Sequence, residues 1–392
     1  MPDKNIMNTG LRGITIASTK VSDVDGTTGR LIYRGYLVQD LAEKASYEEV
    51  VHLLLFEKLP NRDELAFIRK ELNTLSHLPE AVINAMKTFP KDALPMDVLQ
   101  SVIPMLAHHD PKIKKQPTRD MALDTGLNLI AKISSIVAAW ERIRKGLAPV
   151  QPASDLNHAA NFLYMMTGKK PDKDVAHFID TALVLHAEHS FNASTFAARE
   201  VSSTRAHMYA AIAAAAGSLS GELHGGANTR VMEMLKKIGT LDKVEGFVET
   251  ELKEGRKVMG LGHAVYKVDD PRALILAPMS RKMGEMAGET KWYTMSVNLE
   301  KSAKQAFKKE KNMDIFVNVD YYSATLYYSM GIPMDLFTPV FAISRVAGWV
   351  AHVIEEQFAE AAPEPVLYRP ESEYVGNYCG PNVCRFEEMD ER

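Results

Sequence analysis

Apolar residues recur along most of this chain at three- and four-residue intervals, the spacing that gives a helix one apolar face. The clearest exception lies near the beginning, between about Leu11 and Tyr36. There Ile14-Thr15-Ile16-Ala17-Ser18 alternates, Asp25-Gly26 supplies a turn and Arg30-Leu31-Ile32-Tyr33-Arg34 returns, which predicts a small β segment. From Leu37 to about Tyr164 the period is helical. Ser46 is expected to cap a helix with first turn Tyr47-Glu48-Glu49 and body Val50-Val51-His52-Leu53-Leu54-Leu55, stopped by Leu59-Pro60-Asn61. Further helices are predicted over 63–75, 79–88, 96–108, 118–146 and 154–167, with Pro, Asn or Gly clusters between them. An amphipathic stretch over 172–187 runs into Glu188-His189-Ser190-Phe191-Asn192-Ala193-Ser194, and the Lys/Glu-rich segment 240–256 reads as a solvated helix face. More helices follow Arg272 to about Lys311, and 337–358 is one long helix, mostly apolar around Arg345. The stretch 359–365 reads as a linker, and the tail from Val366 as extended and aromatic. No repeat and no βαβ alternation appears, so the fold class is mainly α.

Composition narrows the function without choosing it. In 392 residues, 46% are apolar, enough for a large core, and the formal net charge of -4 argues against a general nucleic-acid binder. The two cysteines, Cys379 and Cys384, exclude a disulfide framework and cannot close a zinc site alone; a reducing compartment is expected. The first residues, Met1-Pro2-Asp3-Lys4-Asn5, lack the apolar core of a signal peptide. The longest apolar run, about 208–219, is shorter than the ~18 residues a membrane span needs, so a soluble, cytoplasmic protein is expected.

Candidate chemistry gathers in two glycine-flanked histidine turns. One is Gly221-Glu222-Leu223-His224-Gly225-Gly226-Ala227-Asn228; the other is Gly260-Leu261-Gly262-His263-Ala264-Val265-Tyr266-Lys267, followed by Asp269-Asp270-Pro271-Arg272. Paired glycines disfavour a helix interior, so both turns are expected at helix ends or in loops, each with one ring nitrogen free for a substrate. Either alone reads better as an ordinary turn than as a site. Asn318-Val319-Asp320 adds a third element: flanked by Ile315, Phe316, Val317 and Val319, the Asp320 carboxyl is expected to have a raised pKa and act as a base, or to cap a helix beginning near Tyr321. Arg345, among Phe341, Ile343, Val346 and Ala347, needs a carboxylate from the protein or a ligand. With Arg272, Arg369 and His189 it suggests a cage for a small polycarboxylate, structural ion pairs being the alternative for each.

Other motifs lead elsewhere or nowhere. His186 and His189, three apart, are expected to share a helix face, with His189 a hydrogen-bond donor at the helix end. His108-His109-Asp110 reads as a solvated helix end. Gly260-Leu261-Gly262 lacks the third glycine of a dinucleotide fingerprint, and Asp23-Val24-Asp25-Gly26 fails as a calcium loop because Arg34 stands where a bidentate Glu is required. Two rival classes stay open: a metal-dependent hydrolase with His189, His224, His263 and Asp320 as ligands, and a non-catalytic helical binding protein.

In order and spacing, Gly221–Asn228, Gly260–Arg272, Asn318–Asp320 and the helix bearing Ser344-Arg345 resemble the citrate synthase family, as do Gly10–Gly35 and Met96-Asp97-Val98-Leu99. The resemblance covers nearly the whole chain and is to the shorter bacterial and archaeal type, which includes 2-methylcitrate synthases. It implies an almost all-helical homodimer: a large domain over 1–222 and 332–392, a small domain over 223–331 and an active site in the cleft. It further implies Asp320 as the base that deprotonates the acyl group of a coenzyme A thioester. His224 would stabilise the enol or enolate, and His263 would bind the oxaloacetate carbonyl and protonate the alkoxide. His189, Arg272, Arg345 and Arg369 would hold the carboxylates, Arg369 from the partner subunit, with Lys257 and Lys267 toward the coenzyme A phosphates. Neither metal nor other cofactor is implied. The expected reaction joins acetyl-CoA to oxaloacetate, with propionyl-CoA as the alternative thioester. Two positions depart from the pattern: Glu222 replaces the usual Pro before Leu-His, and Glu371 stands where a basic residue is common.

Overall fold

The computed structural model describes residues 10, 11, 13–263, 265–376 and 388–391; Ala264, Cys379 and Cys384 lie outside them. Three short strands, β1 (Ser22–Asp25), β2 (Arg30–Tyr33) and β3 (Tyr36–Leu37), form an antiparallel sheet in that order, with Ser22 opposite Tyr33 and Ile32 opposite Leu37. The turn at Asp25-Gly26 is as expected: the Asp25 carboxylate accepts hydrogen bonds from the Thr27 and Thr28 amides. The alternating stretch Ile14–Ser18 is not a strand. Among the described residues no strand pairs with it to take up its backbone groups, and Ile14 is left 54% exposed.

Helices make up most of the rest. The first group is α1 (Val38–Lys44), α2 (Tyr47–Phe56), α3 (Arg62–Leu75), α4 (Glu80–Thr88), α5 (Pro95–Ala107) and α6 (Arg119–Arg144). Next come α7 (His158–Thr167), α8 (Lys173–His186), α9 (Ala193–Ser203), α10 (Met208–Ser220), α11 (Ala227–Ile238) and α12 (Val244–Lys253). The last are α13 (Pro271–Met286), α14 (Lys291–Lys311), α15 (Val319–Ser329) and α16 (Phe337–Gln357). Most boundaries follow the caps anticipated from sequence. Glu49 accepts the Ser46 amide at the start of α2, and Thr118 caps α6. α7 begins later than expected because Asn157, not Ser154, accepts its first free amide.

α16 is the axis of the core. It packs on α2, α6, α8, α9 and α10, and Trp349, Phe337 and Val346 are fully buried. Each such side chain contributes roughly 1.5–3 kcal/mol by leaving water. The segments 119–144 and 334–357 are long and apolar enough to cross a bilayer, but the apolar window of the second is wholly buried inside the protein. Its hydrophobicity is spent on the core.

Two expectations about helix ends need correction. α8 stops at His186, so His189 lies in the following turn and shares no helix face with it. His186 is instead a core residue, its Nδ1 bonded to the Ala182 carbonyl one turn back. Asp320 is not the cap of α15. Asn318 is, because its side chain accepts the Asp320 amide, which places Asp320 in the first turn.

Candidate active site

The His263 turn and the Asn318 segment are stitched to one another by backbone. Gly262 N–H donates to the Phe316 carbonyl at 2.7 Å, Asn318 N–H to that of Gly260 at 3.0 Å and Asp270 N–H to that of Val317 at 3.0 Å. Gly260 has φ +78°, and a Cβ there would lie 2.5 Å from the Tyr321 ring, so the turn packs this closely on α15 only as glycine. The His263 loop therefore begins and ends against the start of the Asp320 helix.

Within that loop the His263 Nδ1 accepts the amides of Val265 and Tyr266 at 2.9 and 3.1 Å. An amide N–H can only donate, so the imidazole hydrogen resides on Nε2. The ring lies 4.7 Å from that of Tyr266 and 5.7 Å from that of His189, whose Nε2 is 3.2 Å from the Tyr266 hydroxyl. His224, in the turn between α10 and α11, shows the opposite tautomer. Its Nε2 accepts the Ser194 amide at 3.1 Å, leaving the hydrogen on Nδ1. Ser194 Oγ, 2.8 Å from the same nitrogen, is steadied by Trp349 Nε1–H at 3.1 Å. Burial pushes both His224 and His263 down to about 4, helped at His224 by Arg345 and at His263 by Arg272. Both are thus neutral donors near pH 7.

The arginines are held differently. Asp270 caps α13 and grips Arg272 twice, Nε to Oδ1 at 3.0 Å and Nη2 to Oδ2 at 2.7 Å. Arg345 is 1% exposed; its Nε donates to the His186 carbonyl at 2.7 Å and its guanidinium carbon lies 4.6 Å from the Phe341 ring. Among the described residues no carboxylate lies within ion-pair distance of it. Burial pushes it down to about 10 despite the field of Glu188. Asp320 feels the charges of Arg272, Asp270, Arg345 and Arg230, yet burial dominates and pushes its carboxyl up to about 6. The result is a carboxylate that is ionised at neutral pH and more basic than an exposed one, beside an arginine without an acidic partner.

His189, His224, His263, Arg272, Asp320 and Arg345 therefore share one region of the fold. Lys257, Lys267 and Arg369 are exposed, and Arg369 makes no contact with this cluster within the chain. Among the described residues no three His, Cys, Asp or Glu side chains converge to hold a metal ion. The tyrosines beside Asp320 can now be oriented: Tyr321 donates to the Ser296 carbonyl and Tyr322 to Glu300, both on α14. Glu222 pairs with Arg230 at 3.3 Å. Sequence pattern gives no role to Ser194, Trp349 or Asp270. The order Asp270-Pro271 is a helix-start signal that identifies the last as a cap, whereas nothing local announces the other two.

A family profile described as citrate synthase, C-terminal domain, matches residues 10–371. The chain is 43% identical over 388 residues to a citrate synthase of Haloferax volcanii, covering 98% of each. It is 37% identical over 378 residues to a citrate/2-methylcitrate synthase of Bacillus subtilis, covering 96% of this chain and 98% of that one. Among solved structures, a citrate synthase of Thermoplasma acidophilum in ternary complex with carboxymethyl coenzyme A and oxaloacetate superposes with a TM-score of 0.89. The identity there is 30%, covering 99% of this chain and 100% of that one.

Proposed function

This chain belongs to the citrate synthase family, and from that premise we propose that it condenses acetyl-CoA with oxaloacetate and hydrolyses the resulting thioester to citrate and coenzyme A. The observation that carries this reading is Arg345: a buried guanidinium without an acidic partner among the described residues, within electrostatic reach of Arg272 and Asp320. An unpaired buried cation is costly; a dicarboxylate such as oxaloacetate supplies the missing charge.

The side chains divide the chemistry. Asp320 takes a proton from the methyl carbon of the thioester. That carbon is a very weak acid, so the developing enolate oxygen needs a donor, which the Nδ1–H of His224 provides. The enolate carbon attacks the oxaloacetate carbonyl while His263 Nε2–H donates to its oxygen and protonates the alkoxide. Water then cleaves the citryl thioester. Because both imidazoles are neutral, each donates without placing a full positive charge in the pocket.

The same proposal includes a large domain over 1–222 and 332–392, a small domain over 223–331, and closure of the cleft between them over the substrates. It takes Arg369 to be supplied across a homodimer interface: Tyr368 is tied to Glu356 at 2.6 Å and stacks on Phe196, while Arg369 beside it is exposed. His189 joins the carboxylate cage, Lys257 and Lys267 serve the coenzyme A phosphates, no metal takes part, and the enzyme works in the cytoplasm.

Thiol release from acetyl-CoA on adding oxaloacetate tests the activity; no release overturns it. EDTA treatment is expected to leave turnover intact, and loss of turnover favours the metal-dependent hydrolase. Propionyl-CoA is the second thioester to assay, since one relative carries both names and one methylene alters pocket discrimination by only about 1–3 kcal/mol. A higher kcat/KM for propionyl-CoA makes the enzyme a 2-methylcitrate synthase.

A further inference from the structure

Behind Arg345 lies a buried polar network that the chemistry above does not use. Glu188 is fully buried between α8 and α9. Its Oε1 accepts from Ser22 Oγ at 2.9 Å and from His352 Nε2 at 3.0 Å. The direction of the second bond is fixed from the far side of the ring: Arg199 Nη1, which can only donate, lies 3.1 Å from His352 Nδ1. Arg199 is itself held by Glu355 at 2.7 Å and Glu356 at 2.5 Å. The Glu188 carboxylate is therefore oriented through Oε1 by Ser22 and His352.

Its other oxygen is the anomaly. Oε2 is buried with no hydrogen-bond partner. It rests on Gly348, where a Cβ would come within 2.2 Å of it. Gly348 stands one turn along α16 from Arg345, so a glycine keeps open the space that brings this carboxylate up to the arginine's helix. Glu188 is the foremost favourable charge acting on Arg345, yet no ion-pair contact joins them.

We propose that Glu188 is a positioning residue that balances Arg345 from behind without occupying its donors, so that the guanidinium stays charged in the empty site and free to take a substrate carboxylate. This rests on the reading that Arg345 binds oxaloacetate. Ser22 and His352 hold Oε1, the Gly348 gap admits Oε2, and the ion pair that would otherwise close over Arg345 does not form. Without the Glu188 charge, the ligand-free site holds a buried cation with weaker compensation, and the incoming carboxylate relieves more of that penalty.

The test compares Glu188→Gln and Glu188→Asp by thermal melting and by calorimetric titration with oxaloacetate, with Arg345→Met in parallel. Glu188→Gln is expected to melt lower when ligand-free yet bind oxaloacetate on the order of tenfold tighter, as for directly coupled groups. Glu188→Asp, which keeps the charge, is expected to bind closer to the wild type. A merely structural role predicts unchanged or weaker binding for both, and that result overturns the proposal. Loss of binding in Arg345→Met with no tightening in Glu188→Gln sinks the Glu188 role alone; wild-type binding in Arg345→Met sinks the reading beneath it. Should Glu188→Gln fail to fold, the double variant Glu188→Gln/Arg345→Met is expected to fold and melt higher than it, and failure to do so overturns the proposal.

Discussion

Asn318 ties Asp320 to the histidine loop: its Oδ1 accepts the Asp320 amide at 3.1 Å while its Nδ2 donates to the Gly262 carbonyl at 3.1 Å. One side chain thus caps α15 and fixes the distance between Asp320 and His263. Replacing Asn318 by Ala is expected to lower stability by about 1 kcal/mol, as for other lost caps, and to lower kcat roughly tenfold or more through misplacement of the base. Denaturant melts and steady-state kinetics on the same preparation check both; an unchanged kcat rules out the coupling.

Asp320→Asn is expected to abolish condensation while oxaloacetate still binds, since the arginines are untouched. Persistence of turnover removes Asp320 as the base.

Asp320 also predicts two pH effects. Its folded-state pKa of about 6 exceeds the ordinary 3.8, so kcat/KM is expected to fall below about pH 6 as the base is protonated. For stability the folded state binds the proton more tightly than the unfolded chain. Its relative stability is therefore highest below pH 4 and is lost as pH rises through 4 to 6, amounting to about 3 kcal/mol. Asp320→Asn is accordingly expected to melt higher than the wild type at pH 8, with the difference shrinking toward pH 4. Melting curves across that range check the sign.

His224 and His263, both neutral, are expected to add no second acid limb to the rate profile near pH 6. A limb at that pH that survives in an Asp320→Glu variant with a shifted base, but vanishes on replacing His224 by Asn, contradicts this.

Arg369 is tested by mixing. Equal amounts of Asp320→Asn and Arg369→Ala chains, unfolded and refolded together, form mixed dimers. If Arg369 acts across the interface, one of the two sites in each mixed dimer carries both lesions and the other neither. About half of the wild-type activity per mixed dimer is then expected, by that count of intact sites and the symmetry of the dimer. No recovery places Arg369 and Asp320 in the same site of the same subunit.

Sequence alone determined the helical class and most helix limits, because caps, breakers and periodicity act within a few residues of themselves, and it named the six residues that the structure brings into one region. The cap at Ser46, the long α16 and the turns around His224 and His263 were all legible that way. Alternation at Ile14–Ser18 misled because a strand needs a neighbour that local pattern cannot supply. Only the tertiary structure decided which nitrogen of His224 carries its hydrogen, since the Ser194 amide that selects its tautomer lies 30 residues away in the chain. It alone decided, too, that Arg345 is buried with no acidic partner among the described residues. Burial arises from contacts between distant segments, and those contacts gather scattered polar residues into one region and shift the pKa values of Asp320, His224 and His263.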